Sequence, residues 1–279
     1  MSVTRQIEIG YCWDWEITEP AEGLAMLAGC GFDGIELWPD PLNRWGSPAW
    51  SAALRKSGLR CLQLCPYFDF LGSQAERAMS NAQLKLYLDH AATLDCRRLR
   101  VFTGSMARER RVGSAAATEA QWASAIDGLG RYADAAAARG IELCLECHEG
   151  MLVDTSEGVL RLLRAVERPN ITVNLQLPLV GEAWQRSVEA LAPYVTHIHI
   201  HNWTEPGFGG ALTFVRDGVF DWRPVLAALM WARADALCLS VEHASHNGRD
   251  DSRETARIDG PFLRDIAKKI QLEAGCVTG

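Results

Sequence analysis

Glu146, Gln176, His199 and Glu242 each lie near the C-terminal end of a separate strand-like run. Two carboxylates and an imidazole that converge on one point can hold a divalent cation, with an amide oxygen as a fourth ligand. Oxygen ligands with a single imidazole suit Mn²⁺, Mg²⁺ or Co²⁺ better than a thiolate-seeking metal. Any one of these residues taken alone reads more simply as part of a buried hydrogen-bond network. Two inward glutamates weaken that reading, because unpaired buried charge is costly and a cation offsets it.

Convergence requires a scaffold. Short β-like runs alternate with helical patterns along the whole chain, at Ile7–Trp13, Gly34–Trp38, Arg60–Cys65, Arg98–Thr103, Ile141–Cys147, Ile171–Leu177, Val195–His201 and Cys238–Glu242. Alanine- and leucine-rich segments between them, clearest at Asn81–Leu94, Glu119–Arg139, Ser156–Val166 and Trp222–Arg233, predict helices. Eight such β-α units point to a single (β/α)₈ TIM barrel, one domain over residues 1–279. An open doubly wound sheet would carry a glycine-rich phosphate loop after its first strand. The first run ends instead in Tyr11-Cys12-Trp13-Asp14-Trp15.

Side-chain alternation agrees with a barrel. Successive strand residues face opposite sides. Leu143 and Leu145 oppose Cys144, Glu146 and His148. Likewise Ile198 and Ile200 oppose His197, His199 and His201, and Leu239 and Val241 oppose Ser240 and Glu242. A sheet covered by helices on both faces would be apolar on both. A polar inner face implies a functional lumen, and barrel enzymes place their chemistry at the C-terminal strand ends.

Several further residues fall near that mouth. Trp13, Trp38 and Trp203 end the first, second and seventh runs and Phe68 follows the third; each can line a pocket or simply pack under loops. Glu36 is expected to contact substrate hydroxyls, with pairing to Arg100 as the alternative. His148 and His201 share faces with Glu146 and His199 and are candidates for substrate binding, whereas His197 lies deeper and reads as core. Arg216 can clamp a carboxylate bidentately or form a surface ion pair. The stretch Pro206–Gly210 reads as an active-site loop.

Bulk properties narrow the class. With 28 Lys and Arg against 35 Asp and Glu, the net charge is -7, which disfavours a nucleic-acid partner. The only basic cluster, Arg108, Arg110 and Arg111, is short. Nine cysteines, many inside apolar runs and without CxxC pairs, suit a reducing compartment. No apolar run approaches the ~20 residues of a membrane span. The expectation is a cytoplasmic protein without membrane contact.

The chain resembles the xylose isomerase-like TIM-barrel superfamily of sugar isomerases, epimerases and related lyases. The resemblance rests on Gly34-Ile35-Glu36-Leu37, Leu145-Glu146-Cys147-His148, Val173-Asn174-Leu175-Gln176, His197-Ile198-His199-Ile200, Gly218-Val219-Phe220-Asp221-Trp222 and Leu239-Ser240-Val241-Glu242, in that order. It implies a metal site on Glu146, position 176, His199 and Glu242, with Glu146 and Glu242 also moving protons. Position 176 is usually Asp in the family. Gln176 leaves two carboxylates against a divalent cation, so the ion should bind less tightly and remain more electrophilic.

The implied activity is metal-dependent isomerisation or epimerisation of a sugar or sugar-derived keto compound through an enolate. The alternative is a lyase, a decarboxylase or dehydratase of a sugar-derived acid, on the same site; Arg216 and Gln176 lean that way. The superfamily's DNA-repair endonucleases need additional histidine ligands, and here Cys65-Pro66 ends the third run while Leu179 stands where a further His would fall. A non-catalytic sugar-binding protein would leave two inward glutamates idle. The expected partner is a small sugar or sugar acid. Barrels of this type often pair, so a homo-oligomer lies within the expectation.

Overall fold

A computed structural model describes residues 6–13, 19–105, 107–232, 236–242 and 252–276; the side chains of Trp13 and of residues 274–276 lie outside the description. Eight parallel strands form the barrel. They are β1 (Ile7–Trp13), β2 (Gly34–Leu37), β3 (Arg60–Leu64), β4 (Arg98–Val101), β5 (Glu142–Glu146), β6 (Ile171–Gln176), β7 (Val195–Ile200) and β10 (Leu237–Val241). They close in the order β1-β10-β7-β6-β5-β4-β3-β2. Two further strands, β8 (Asn202–Glu205) and β9 (Gly209–Thr213), pair as an antiparallel hairpin. Eight helices alternate with the barrel strands: α1 (Pro20–Gly29), α2 (Pro39–Ser57), α3 (Gln74–Leu94), α4 (Glu119–Ala137), α5 (Ser156–Val166), α6 (Trp184–Leu191), α7 (Arg223–Ala232) and α8 (Ser252–Cys276). This is a (β/α)₈ TIM barrel. Among the described residues no helix is long and apolar enough to cross a membrane.

Helix starts follow local chemistry. Ser73 caps α3 and Thr118 caps α4, each in a reciprocal capping box with Glu76 or Gln121 three residues on; these pairs satisfy backbone N–H groups that a helix start leaves bare. Proline in the first turn opens α1 and α2, where its missing N–H costs nothing.

The chain divides into two compact units. One comprises Met1–Leu62 and Thr196–Gly279. In it β1 pairs with β2 and β10, and β10 with β7, so that Cys12 lies beside Glu36 and Ser240 beside both Gly10 and His199. Ile198, Ile200, Leu239 and Val241 are buried on one face, while His197, His199 and Ser240 are equally buried on the other. A methyl group on Gly10 would stand 2.5 Å from Ser240 Oγ, which explains the glycine at that close approach.

The second unit is Gln63–Val195. Here β4 pairs with β5 and β5 with β6, setting Arg100 beside Cys144 and Glu146 beside Asn174. The alternation holds again: Leu99, Val101, Leu143, Leu145, Val173 and Leu175 form the aliphatic face, and Arg100, Glu146 and Asn174 are buried opposite.

The expected loop at Pro206–Gly210 comprises the turn of the β8–β9 hairpin, residues 206–208, and the first two residues of β9. Trp203 therefore sits on β8 and not at the end of β7. The sequence pattern conceals this hairpin because only four and five residues pair, and the turn needs positive φ at Gly207, Phe208 and Gly210.

Candidate active site

In the first unit, the C-terminal ends of β2, β7 and β10 carry one connected polar cluster. Glu36 is fully buried, and its two oxygens are engaged separately. Oε1 accepts from His197 Nε2, and Oε2 accepts from His199 Nε2 at 3.1 Å. His197 Nε2 also lies 3.0 Å from Ser240 Oγ. Burial alone would raise the Glu36 pKa, but His197 and His199 together hold it well below the usual carboxylate range. His197 is thus a satisfied interior residue, as its depth on the strand suggested, and Glu36 is occupied by two imidazoles.

The opposite edge of the His199 ring faces Glu242, the residue after β10, with Nδ1 3.4 Å from Oε1. His201 Nδ1 lies 3.8 Å from the other Glu242 oxygen. The His201 ring is edge-on to Trp203 at 4.7 Å, and its carbonyl accepts from Trp222 Nε1 at 2.8 Å. Trp203, Phe208, Phe220 and Trp222 continue the contact in a run of aromatic rings. Asn202 ties these segments down: its amide donates to the Val215 and Phe220 carbonyls, and its oxygen accepts from the Trp203 and Phe220 N–H groups. Gly218 permits this clamp, since a Cβ there would meet Asn202 Cγ at 2.1 Å.

Cys12, Glu36 and His199 form a second close group, their ligand-type atoms within 4.8 Å of one another. The Cys12 thiol is pushed well above its ordinary pKa, first by burial and next by Glu36. It is a neutral thiol and a poor ligand for a hard ion.

In the second unit, Glu146 ends β5 and is buried. Arg100 NH1 lies 3.1 Å from Glu146 Oε2, and Arg100 NH2 donates to the Cys65 carbonyl at 3.2 Å. The guanidinium lies over the Tyr67 ring at 4.8 Å and the Phe102 ring at 4.5 Å. Burial works against its charge, but Glu146, then Cys65 and Tyr67, keep its pKa above the ordinary arginine value. Arg100 is therefore a partner of Glu146. The alternation of Arg98-Leu99-Arg100-Val101 shows that Arg100 faces inward; only the fold shows which acid it meets. His148 is half-buried, its Nδ1 2.7 Å from the Glu149 carbonyl and its ring edge-on to Phe102. Gln176 ends β6, partly buried.

The remaining candidates divide. Trp38 is half-buried at the start of α2. The side chain of Trp13 is outside the described residues. Phe68 is core, edge-on to Tyr132 at 5.1 Å. Arg216 is exposed and forks onto Asp217, with Nε 2.6 Å from Oδ1 and NH2 3.0 Å from Oδ2. It forms the surface ion pair and, in this arrangement, presents no free fork to a substrate.

A hard divalent cation fits the His199–Glu242 pair. Adjacent ligands about 2.1 Å from an octahedral ion stand about 3 Å apart, close to the 3.4 Å separating His199 Nδ1 from Glu242 Oε1.

The family model for xylose isomerase-like TIM barrels matches residues 24–266, and the chain belongs to that family. A curated 3-dehydroshikimate dehydratase of Bacillus anthracis is 24% identical over 184 residues, 62% of this chain; the chain spans 62% of that protein's length. Among solved structures, an L-ribulose 3-epimerase superposes with a TM-score of 0.78 at 18% identity, covering 98% of this chain and 99% of the other. A xylose isomerase-like TIM barrel protein from Mycobacterium smegmatis, in complex with magnesium, superposes with a TM-score of 0.69 at 16% identity over 97% and 99%. These relatives include an epimerase, a dehydratase and a magnesium complex; the structural likenesses establish the fold.

Proposed function

We propose that the protein is a divalent-metal-dependent enzyme that moves a proton on a carbon next to the carbonyl of a sugar or sugar-derived keto compound. The ion, Mn²⁺, Mg²⁺ or Co²⁺, is held by Glu146, Gln176, His199 and Glu242. The observation that carries this reading is the pair His199 Nδ1 and Glu242 Oε1 at 3.4 Å, buried. With Nε2 turned to Glu36, His199 presents Nδ1 to a carboxylate oxygen, and a cation seated between these two groups would be bound by both.

The bound ion would polarise the substrate carbonyl and stabilise negative charge on its oxygen. Glu146 and Glu242 are the two bases, one removing the proton and the other returning it to the same or the adjacent carbon. Arg100 holds Glu146 in place and supplies a compensating charge. His148 and His201 flank the two glutamates and contact substrate hydroxyls, and Trp38 and Trp203 give apolar surface to the C–H face of a sugar. Epimerisation or isomerisation is the first reading. Dehydration of a sugar-derived acid is the second, favoured by the dehydratase relative; it departs from the same enolate by expelling water.

The test is a panel of keto sugars and sugar-derived keto acids incubated with Mn²⁺-loaded protein in D₂O and followed by proton NMR. Solvent deuterium in a product of otherwise unchanged composition supports epimerase or isomerase. Loss of water marks a dehydratase, and release of CO₂ a decarboxylase. An isomerised or epimerised product with no solvent deuterium at carbon would indicate a hydride shift and overturn the two-glutamate scheme.

A further inference from the structure

We infer that Glu36 is a positioning residue that fixes the tautomer of His199, so that Nδ1 and not Nε2 is the ligating nitrogen. This rests on the metal reading above. The argument begins with what a carboxylate can do: it accepts hydrogen bonds and donates none. Glu36 Oε2 lies 3.1 Å from His199 Nε2, so Nε2 carries the proton. With Nε2 protonated, the nitrogen left to take an ion is Nδ1, the edge that faces Glu242.

The same carboxylate is itself held. Its other oxygen is bonded to His197 Nε2, which also contacts Ser240. Glu36 thus cannot rotate toward the mouth without giving up its hydrogen bonds to two buried imidazoles. A side chain with both oxygens engaged and no exposure is badly placed to bind substrate hydroxyls, the role its strand position suggested. Carboxylates that orient a ligating histidine through its second nitrogen raise its basicity and fix the ring plane, and losing them typically weakens the metal about 10–100-fold. The neighbouring Cys12 thiol does not compete for a hard ion.

The experiment has two readouts. In the ¹⁵N-labelled, metal-free protein, long-range ¹H–¹⁵N correlation of the histidine rings, with His199 assigned by the loss of its signals in His199→Gln, should report a proton on Nε2, with or without a second proton on Nδ1. A ring protonated on Nδ1 alone would overturn the assignment. In Glu36→Gln, which offers one acceptor to two imidazoles, Mn²⁺ affinity by titration calorimetry should drop about 10–100-fold, and Glu36→Asp should recover part of it. Unchanged Mn²⁺ affinity with a raised KM would show instead that Glu36 binds substrate. If wild type binds no Mn²⁺, the metal reading fails, while the tautomer measurement still decides the role of Glu36. Should Glu36→Gln not fold, that measurement and Glu36→Asp carry the test.

Discussion

Arg100 NH1 and Glu146 Oε2 form an ion pair 3.1 Å long with both side chains withdrawn from solvent. A buried pair adds little stability relative to apolar residues, but removing one partner leaves an uncompensated charge and costs roughly 3–5 kcal/mol. Arg100→Met should therefore lower unfolding stability by about that amount in metal-free protein. Arg100→Lys should also lose stability, because an ammonium cannot reproduce the flat contact over Tyr67 and Phe102 while reaching Glu146. Combining Arg100→Met with Glu146→Gln should recover part of the loss, and urea unfolding of Arg100→Met, Glu146→Gln and the double variant measures the coupling. A double variant as unstable as the sum of the singles would show that the pair is not coupled.

Metal binding tests the ligand set directly. Purified protein should take up about one Mn²⁺ per chain, and Glu242→Gln should weaken the ion strongly, so that the site fills only in a large excess of Mn²⁺, while leaving the fold intact by circular dichroism. Gln176→Asp adds a charged ligand and should tighten the ion. Weaker binding in that variant would remove Gln176 from the ligand set. Calorimetric titration with elemental analysis reads both outcomes.

The barrel was legible from the sequence because each strand carries its own pattern. Leu143, Leu145, Ile198, Ile200, Leu239 and Val241 announce the aliphatic face, and the polar residues between them announce the lumen. The placement of Glu146, His199 and Glu242 at strand ends followed from the same period of two. Pairings were not legible. Glu36 and Arg100 both face inward, yet Glu36 meets His197 and His199, 161 and 163 residues away, and Arg100 meets Glu146. Strand order and register decide such contacts, and local pattern does not encode them. Asn202 escaped notice because its role lies in tying the start of β8 to residues 215–220, beyond a hairpin too short to read from the sequence.

Asp259 provides a pH prediction outside the proposed site. It is buried in α8 and accepts from the Val215 and Arg216 N–H groups at 3.0 Å each. Burial, partly opposed by these two bonds, raises its pKa from 3.8 to about 6. A group whose folded pKa is raised binds its proton more tightly in the folded state. Its contribution is complete below the ordinary value and is lost as pH rises through the folded one. Stability should thus fall between about pH 4 and pH 6 through this residue, by up to about 3 kcal/mol. Asp259→Asn should remove that slope from urea-unfolding midpoints measured across the window, whatever it does to the absolute value. The same slope in variant and wild type would assign the dependence to other groups.

The proton chemistry gives the last prediction. Glu146→Gln and Glu242→Gln keep the size of the side chain but remove the base, and loss of a general base typically costs ~10²–10⁴-fold in rate. Both residues are also proposed ligands, so activity must be compared at saturating Mn²⁺ with occupancy measured on the same sample. At equal occupancy, each variant should lose turnover by that factor. The more informative readout is exchange in D₂O. If one glutamate removes the proton and the other returns it, the variant lacking the second base should still exchange substrate hydrogen with solvent while forming little product, and the variant lacking the first should do neither. A pair of variants that lose exchange and turnover in equal proportion would mean that one residue carries both transfers, and the roles of Glu146 and Glu242 would need to be reassigned.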